Sequence, residues 1–348
     1  MLALLLSCII VFAVQVNANN YTNPIALKAP DPWMEYYKGY YYLVATTWGN
    51  TVGIRKSKTL NGLKSVPNQV VYTLDGHTLW APEIHLVNQK WYLYYTSCKP
   101  NTKDPLCHRN RVAESISDDP MGPYHFKVSY PHIRVKHLHN ICSCSIKADL
   151  VDPKDENFEL DPSLIKINGS LYLLGSYVKG TQKLYIQHLS NPYTIAGPKH
   201  ELSAATLPWE LQGLHVNEGP EPLYHKGKTF VVYSASYCDT PDYKLGLLEF
   251  VGTDPLNNTH WHKHPTPVFQ RNDRAHVYGP GHNGFFKSPD GREDWIVYHA
   301  NDSPSGHCDM NRSSRAQKFT WGADGLPVFG LPDANGVVLQ SPSGETNH

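Results

Sequence analysis

The chain has 348 residues, with Lys plus Arg and Asp plus Glu equal at 31 each and no basic stripe. That balance argues against nucleic acid or an anionic membrane surface as its partner. With 25 Gly and 27 Pro and little helical periodicity, turns punctuate the chain throughout, and the pattern predicts an all-β protein.

Residues 2–14, "LALLLSCIIVFAV", are uncharged and almost wholly apolar, and the small residues of Val16-Asn17-Ala18 follow. This reads as a secretory signal over residues 1–18 with the mature chain starting near Asn19. The apolar run is shorter than the ~20 residues that span a bilayer. Beyond it remain Cys98, Cys107, Cys142, Cys144, Cys238 and Cys308, an even number that suits an oxidising compartment. Asn-x-Ser/Thr triplets at Asn20, Asn168, Asn257, Asn301 and Asn311 agree with secretion as a glycoprotein.

One phrase recurs along the chain: a proline, a stretch ending in a turn, then an aromatic-rich apolar strand. It reads "DPWMEYYKGYYYLVAT" from Asp31, "APEIHLVNQKWYLYYTS" from Ala81, "DPSLIKINGSLYLLGS" from Asp161, "GPEPLYHKGKTFVVYSAS" from Gly219 and "GPGHNGFFKSPDGREDWIVYHAN" from Gly279. In three copies a turn glycine (Gly39, Gly169, Gly227) stands seven residues after the proline. A further short strand with a polar end follows each copy. Units of this size, each able to bury its face only against its neighbours, predict a five-bladed β-propeller as a single domain over residues 19–348.

The first strand of a propeller blade lines the central channel, so equivalent positions from different blades converge. The position before the proline holds Asp31, Ala81, Asp161, Gly219 and Gly279, and Glu218 lies one residue further back in the fourth copy. Three carboxyl groups therefore aim at one channel mouth. Repulsion among them raises a carboxyl pKa, which serves a glycosidase: one carboxyl donates a proton to the leaving oxygen and another, ionised, activates water, the two standing about 6.5–9.5 Å apart in an inverting enzyme. Glu221, one residue inside the strand, reads as a supporting hydrogen-bond partner only. The Cys142-Ser-Cys144 spacing suits a disulfide rather than a zinc site, and no nucleophile-elbow or phosphate-loop pattern occurs. Trp33, Trp80, Tyr36 and Tyr37 flank the blade starts and offer faces to a sugar ring, whereas Tyr41, Tyr94, Tyr172 and Tyr233 read as filling between blades.

In this order, "APDPW", "WAPEIH", "LDPSLI", "NEGPE" and "YGPGHNGFF" resemble glycoside hydrolase family 43, and "TPDYKLGLLEF", "EDWIVYHAND" and "RAQKFTW" resemble its exo-acting α-1,5-L-arabinofuranosidases. The resemblance implies a five-bladed propeller of inverting glycosidases, with Asp31 as general base, Asp161 tuning the acid and orienting substrate, and Glu218 as general acid. Trp33, Trp80 and Glu83 at the blade starts are expected in substrate binding; to these the resemblance adds His282 and Arg315, it requires no cofactor, and it leaves room for a structural Ca or Na ion in the channel with His282 as ligand. The implied activity is release of terminal α-L-arabinofuranosyl units from arabinan or arabino-oligosaccharides by a secreted monomer. β-Xylosidase or endo-arabinanase action, or a sugar-binding propeller without catalysis, are the alternatives. A fructan hydrolase would begin W-x-N-D-P, which "KAPDPW" does not match. Cys98, Cys238 and Cys308 follow similar strand ends, and with blades four and five adjacent this predicts Cys238–Cys308 and Cys98–Cys107 bridges.

Overall fold

The computed structural model describes residues 19–98, 107–126, 150 and 158–346. The expected signal, the Cys142 and Cys144 pair and the ends of the chain lie outside the described residues.

Each repeat folds as an antiparallel sheet whose strands pair in sequence order. Blade one comprises Trp33–Tyr37, Tyr40–Val44, Thr51–Ser57 and Gln69–Thr73; blade two comprises Thr78–Val87, Lys90–Cys98, Arg109–Ser115 and Tyr124–Phe126. Blade three runs through Glu159–Ile167, Ser170–Lys179 and Thr181–Asn191, against which both Thr194–Ile195 and His200–Ala204 pair. Asn217–His225, Lys228–Ala235, Lys244–Phe250 and Trp261–Lys263 form blade four, and Tyr278–Lys287, Asp294–Asn301, Ser313–Trp321 and Pro327–Val328 form blade five. The ring closes where Asn20–Thr22 pairs with Val338–Gln340 and Ala26 bridges to Ser314 of blade five.

The turn glycines do what the repeat predicts. Lys38-Gly39, Asn168-Gly169 and Lys226-Gly227 all have positive φ, the two-residue hairpin whose twist matches that of the strands and which needs left-handed backbone twice. An added Cβ at Gly39 would meet nothing within 4 Å, so glycine is there for its backbone freedom. The aromatic-rich second strands build one buried cluster at each of the five blade interfaces. Tyr41, Tyr94 and Tyr233 are completely buried there and Tyr172 nearly so, each contributing about 2 kcal/mol of apolar burial.

At the channel mouth the first strand of blades two to five breaks register, between Trp80 and Glu83, Leu160 and Ser163, Glu218 and Glu221, and Gly281 and Gly284. The bulged-out residue ahead of each break's second half is left-handed: Ala81 (φ 44°), Asp161 (56°), Gly219 (53°) and His282 (46°), matched in blade one by Asp31 (54°). These are the five equivalent corners of the propeller. The fifth differs from the sequence alignment, which set Gly279-Pro280 against Asp31-Pro32; blade five carries an extra irregularity between Tyr278 and Gly281, so His282-Asn283 takes that place. Four corner N–H groups donate to side chains in or just after the second strand of the preceding blade: Ala81 to Thr46 Oγ1 (2.7 Å), Asp161 to Thr96 Oγ1 (3.0 Å), His282 to Ser234 Oγ (2.7 Å) and Asp31 to His299 Nδ1 (3.1 Å). This clasp fixes each corner to its neighbour, and bulges of this kind re-aim side chains.

Candidate active site

The corners open into a cavity of about 340 Å³ lined by Asp31, Asp161, Glu218, His282, Arg312 and the indoles of Trp48 and Trp80, with Tyr237 and the Cys238–Cys308 bridge at its rim. Both expected disulfides, Cys98–Cys107 and Cys238–Cys308, are present.

Asp31 meets three cationic or imidazole groups. Arg312 Nη1 donates to Oδ1 at 2.8 Å, and the Nδ1 atoms of His299 and His282 lie 3.3 and 3.6 Å from the same oxygen. Burial pushes the Asp31 carboxyl up, but the Arg312 guanidinium beside it outweighs burial and holds it well below the usual carboxylate range. His299 accepts the Asp31 N–H and, buried beside Arg312, has its pKa pushed down to about 3, so it is neutral.

Asp161 and Glu218 behave in the opposite sense. The fourth corner is a glycine, and Gly219 N–H donates not to a hydroxyl but to Asp161 Oδ2 at 2.9 Å, tying the two carboxyl-bearing corners together. Burial raises both groups, and the charge of Glu218 further raises Asp161 while that of Asp31 raises both. As a pair they retain a proton above the ordinary carboxyl range while Asp31 is ionised. Two donors oppose the rise at Glu218: Tyr243 Oη to Oε1 and Gln182 Nε2 to Oε2, both at 2.7 Å. Behind the acid, Asn217 is anchored through Ser203 Oγ (2.9 Å) and Glu210 Oε1 (3.1 Å), and Glu210 is itself neutralised by Lys263 at 3.0 Å. The strand that carries Glu218 is therefore fixed from its outer side.

Of the sequence-predicted residues, Asp31, Asp161, Glu218, Trp80 and His282 come together at the cavity. Trp33 does not: the residue after the corner proline turns inward, and its indole is buried between blades one and two against His85, ring centroids 5.0 Å apart. Gly284 makes room for it, since a Cβ there would lie 3.3 Å from Trp33 Cδ1. Glu83 occupies the equivalent place in blade two and is likewise absent from the cavity lining. It is buried below the corners, with His85 Nε2 at 2.7 Å and a hydrogen bond to Glu221, and burial pushes its carboxyl up to about 8. Glu221 thus supports Glu83 rather than Glu218. Arg315 is also misplaced by the sequence reading: it lies within the third strand of blade five, completely buried, and pairs with Asp302 and Asn335. Arg312, just ahead of that strand, is the arginine at the site; its carbonyl accepts Ala29 N–H (3.0 Å) and its Nε donates to Asp309 O (3.0 Å).

Sequence reading also missed His299, Tyr243, Gln182 and Trp48. His299 had a signal, because it stands where Thr46, Thr96 and Ser234 close the other strands; the others come from loops and third strands that the repeat does not index. The cation expected at His282 finds no protein cage. Its Nδ1 faces Asp31, already held by Arg312, and among the described residues only Cys98, Cys107 and His108 bring three ligand-type atoms together, with both sulfurs in a disulfide. Hard cations take six or more oxygens, waters and carbonyls among them; the acidic and histidine side chains here supply no cage of their own, and no step below runs through an ion.

A propeller whose mouth holds one carboxylate ionised and a second carboxyl protonated has the equipment of an acid–base hydrolase. The chain belongs to the glycosyl hydrolases family 43, whose family profile matches residues 21–327. It is 36% identical over 334 residues to an extracellular exo-α-(1→5)-L-arabinofuranosidase of Streptomyces avermitilis, covering 91% of this chain and 65% of that protein. A protein of the same description from Streptomyces chartreusis is 32% identical, with 80% and 82% covered. The crystal structure of an α-L-arabinofuranosidase from Lactobacillus brevis superposes with a TM-score of 0.77 at 30% identity, covering 91% of this chain and 98% of the other. The chain thus spans just under two thirds of the length of the S. avermitilis relative.

Proposed function

We propose that this protein is a secreted inverting glycosidase that releases terminal α-L-arabinofuranosyl units from arabinan or arabino-oligosaccharides. The observation that carries the chemistry is the opposed surroundings of the carboxyl groups at the cavity: Asp31 lies 2.8 Å from the Arg312 guanidinium, which favours its ionised form, and Asp161 and Glu218 are buried together, which favours a retained proton. The substrate class rests on the arabinofuranosidase relatives. Glu218 protonates the glycosidic oxygen as the bond to the anomeric carbon breaks, and Asp31 takes a proton from the water that attacks the opposite face. Asp161, bonded to Gly219 N–H, helps keep the acid protonated and orients the sugar. His282 and Trp80 complete the wall around the terminal unit, and Trp48 offers a face to the next one. The two disulfides and the name of the extracellular relatives support secretion, and no helix among the described residues is long and apolar enough to cross a membrane. Action as a monomer without a cofactor belongs to the same reading.

Products from linear and branched arabinan separate this reading from its neighbours. Free arabinose from the first turnover is expected, with its first-formed anomer inverted by NMR; oligomers or xylose release would assign a different specificity. Asp31→Ala and Glu218→Gln should each lose several powers of ten in kcat on arabino-oligosaccharides, Glu218→Gln at unchanged Tm and Asp31→Ala at a lower one, because Arg312 loses its buried partner. Near-native turnover by Glu218→Gln would remove Glu218 as the acid.

A further inference from the structure

Glu218 is held by two partners of unlike chemistry. Gln182 Nε2 donates to Oε2 at 2.7 Å and also to Ser176 Oγ at 3.2 Å, so both amide hydrogens are in use and Oε2 faces a group that only donates. Tyr243 Oη donates to Oε1 at 2.7 Å, so each carboxyl oxygen accepts from one donor.

The hydroxyl is placed with little freedom. Tyr243 is buried, its ring parallel to that of His299 (5.7 Å between centroids, 5° between planes), and it fills the space over Gly281, where an added Cβ would come 2.3 Å from the ring. Gly281 holds in blade five the place that Glu218 holds in blade four, opposite His299 and Ser234 of the respective second strands, so the missing side chain of one blade makes room for the partner of the other blade's acid. The charged and titratable groups facing Glu218 are Asp161 from blade three, Asp31 from blade one, and Arg312 and His282 from blade five.

Resting on the reading of Glu218 as the acid, we propose that Tyr243 is its positioning residue: the hydroxyl donates to Oε1, fixes the carboxyl group at the cavity and favours the charge it gains when the proton leaves. It then stays a donor to the carboxylate that forms. In that step the Glu218 O–H bond breaks and the glycosidic oxygen gains the proton and the electron pair of its bond to the anomeric carbon. Water adds to that carbon and gives one proton to Asp31. Tyr243 keeps its own proton throughout, and exchange with solvent resets both carboxyl groups.

Tyr243→Phe tests this, because the ring, its stacking on His299 and its packing over Gly281 remain while the hydroxyl goes. Losing a donor to the carboxylate raises the acid's pKa, so the alkaline limb of kcat/KM should move up by about one pH unit. Arabinobiose, with a poor leaving group, should lose about 10- to 100-fold in kcat, and an activated dinitrophenyl arabinofuranoside much less. Gln182→Leu removes the other donor and should move the limb the same way. An unmoved limb in both variants, or equal losses on the two substrates, would reduce Tyr243 to a structural role and overturn the proposal. Glu218→Gln separates the two levels: if it keeps the wild-type limb, the assignment of the acid fails; if it loses the limb and Tyr243→Phe leaves it in place, only the role of Tyr243 fails.

Discussion

Removing the Arg312 guanidinium is the sharpest perturbation of Asp31, the proposed base. Its Nη1 lies 2.8 Å from Asp31 Oδ1, with both side chains almost wholly buried. At that distance two unit charges attract by about 6 kcal/mol for an effective dielectric near 20, and desolvation of the two ions offsets part of this. Breaking such a pair from one side costs about 3–5 kcal/mol. If about 3 kcal/mol of it is felt by the Asp31 proton equilibrium, Arg312→Met raises that pKa by about two units. Asp31 has a folded pKa below its unfolded value, so its stabilising contribution is present above about pH 3.9 and is lost as pH falls through the folded value. The variant should therefore be less stable at neutral pH, with a weaker loss on acidification. The decisive assay is the pH profile of kcat/KM with para-nitrophenyl α-L-arabinofuranoside as substrate, which reports the free enzyme. Its acid limb should move up by about two units in Arg312→Met and much less in Arg312→Lys, which keeps a charge without the planar fork. A limb that stays in place while the rate falls would mean that Arg312 acts on the substrate and does not set the base.

Two further perturbations address the cavity walls. Trp48 is 41% exposed on left-handed backbone (φ 56°) beside Trp80, ring centroids 5.7 Å apart; Trp48→Ala should raise KM for arabinotriose about tenfold, for about 1–2 kcal/mol of lost contact, with a far smaller effect on the short aryl glycoside, and equal effects on both would place Trp48 outside the second sugar's path. The Cys238–Cys308 bridge joins residues 70 apart and is backed by Asp239 accepting Cys308 N–H at 3.0 Å; the double Cys→Ser variant should lose up to about 4 kcal/mol in urea unfolding, and an unchanged midpoint would show that the loops hold without it.

The blades were legible because their signals are local: a proline, a turn glycine and an apolar strand at fixed spacing encode one hairpin each, and five hairpins need only one another to be buried. The carboxyl groups were legible because they sit on that repeat. Errors arose where a short insertion or a strand's alternation decided the outcome. Three residues in "GPGHN" moved the fifth corner from Gly279 to His282, and the inward turn after the corner sent Trp33 and Glu83 below the cavity. Arg315 stands three residues from Arg312, and only the tether to Ala29 and Asp309 shows that Arg312 is the one that reaches Asp31. Tyr243 and Gln182 stand 25 and 36 residues from Glu218, outside the indexed positions, and nothing local marks them.

The five left-handed corners amount to a set of addressable sites on one frame. Nature has written Asp, Ala, Asp, Gly and His into them, and the backbone beneath is the same whatever side chain it carries. Ala81 is the corner whose residue type suits that conformation least, because Asn and Asp tolerate left-handed backbone far better than alanine. For protein engineering this makes blade two the place to install a new polar group: Ala81 lines the cavity, and Ala81→Asn would put there a residue type that tolerates left-handed backbone.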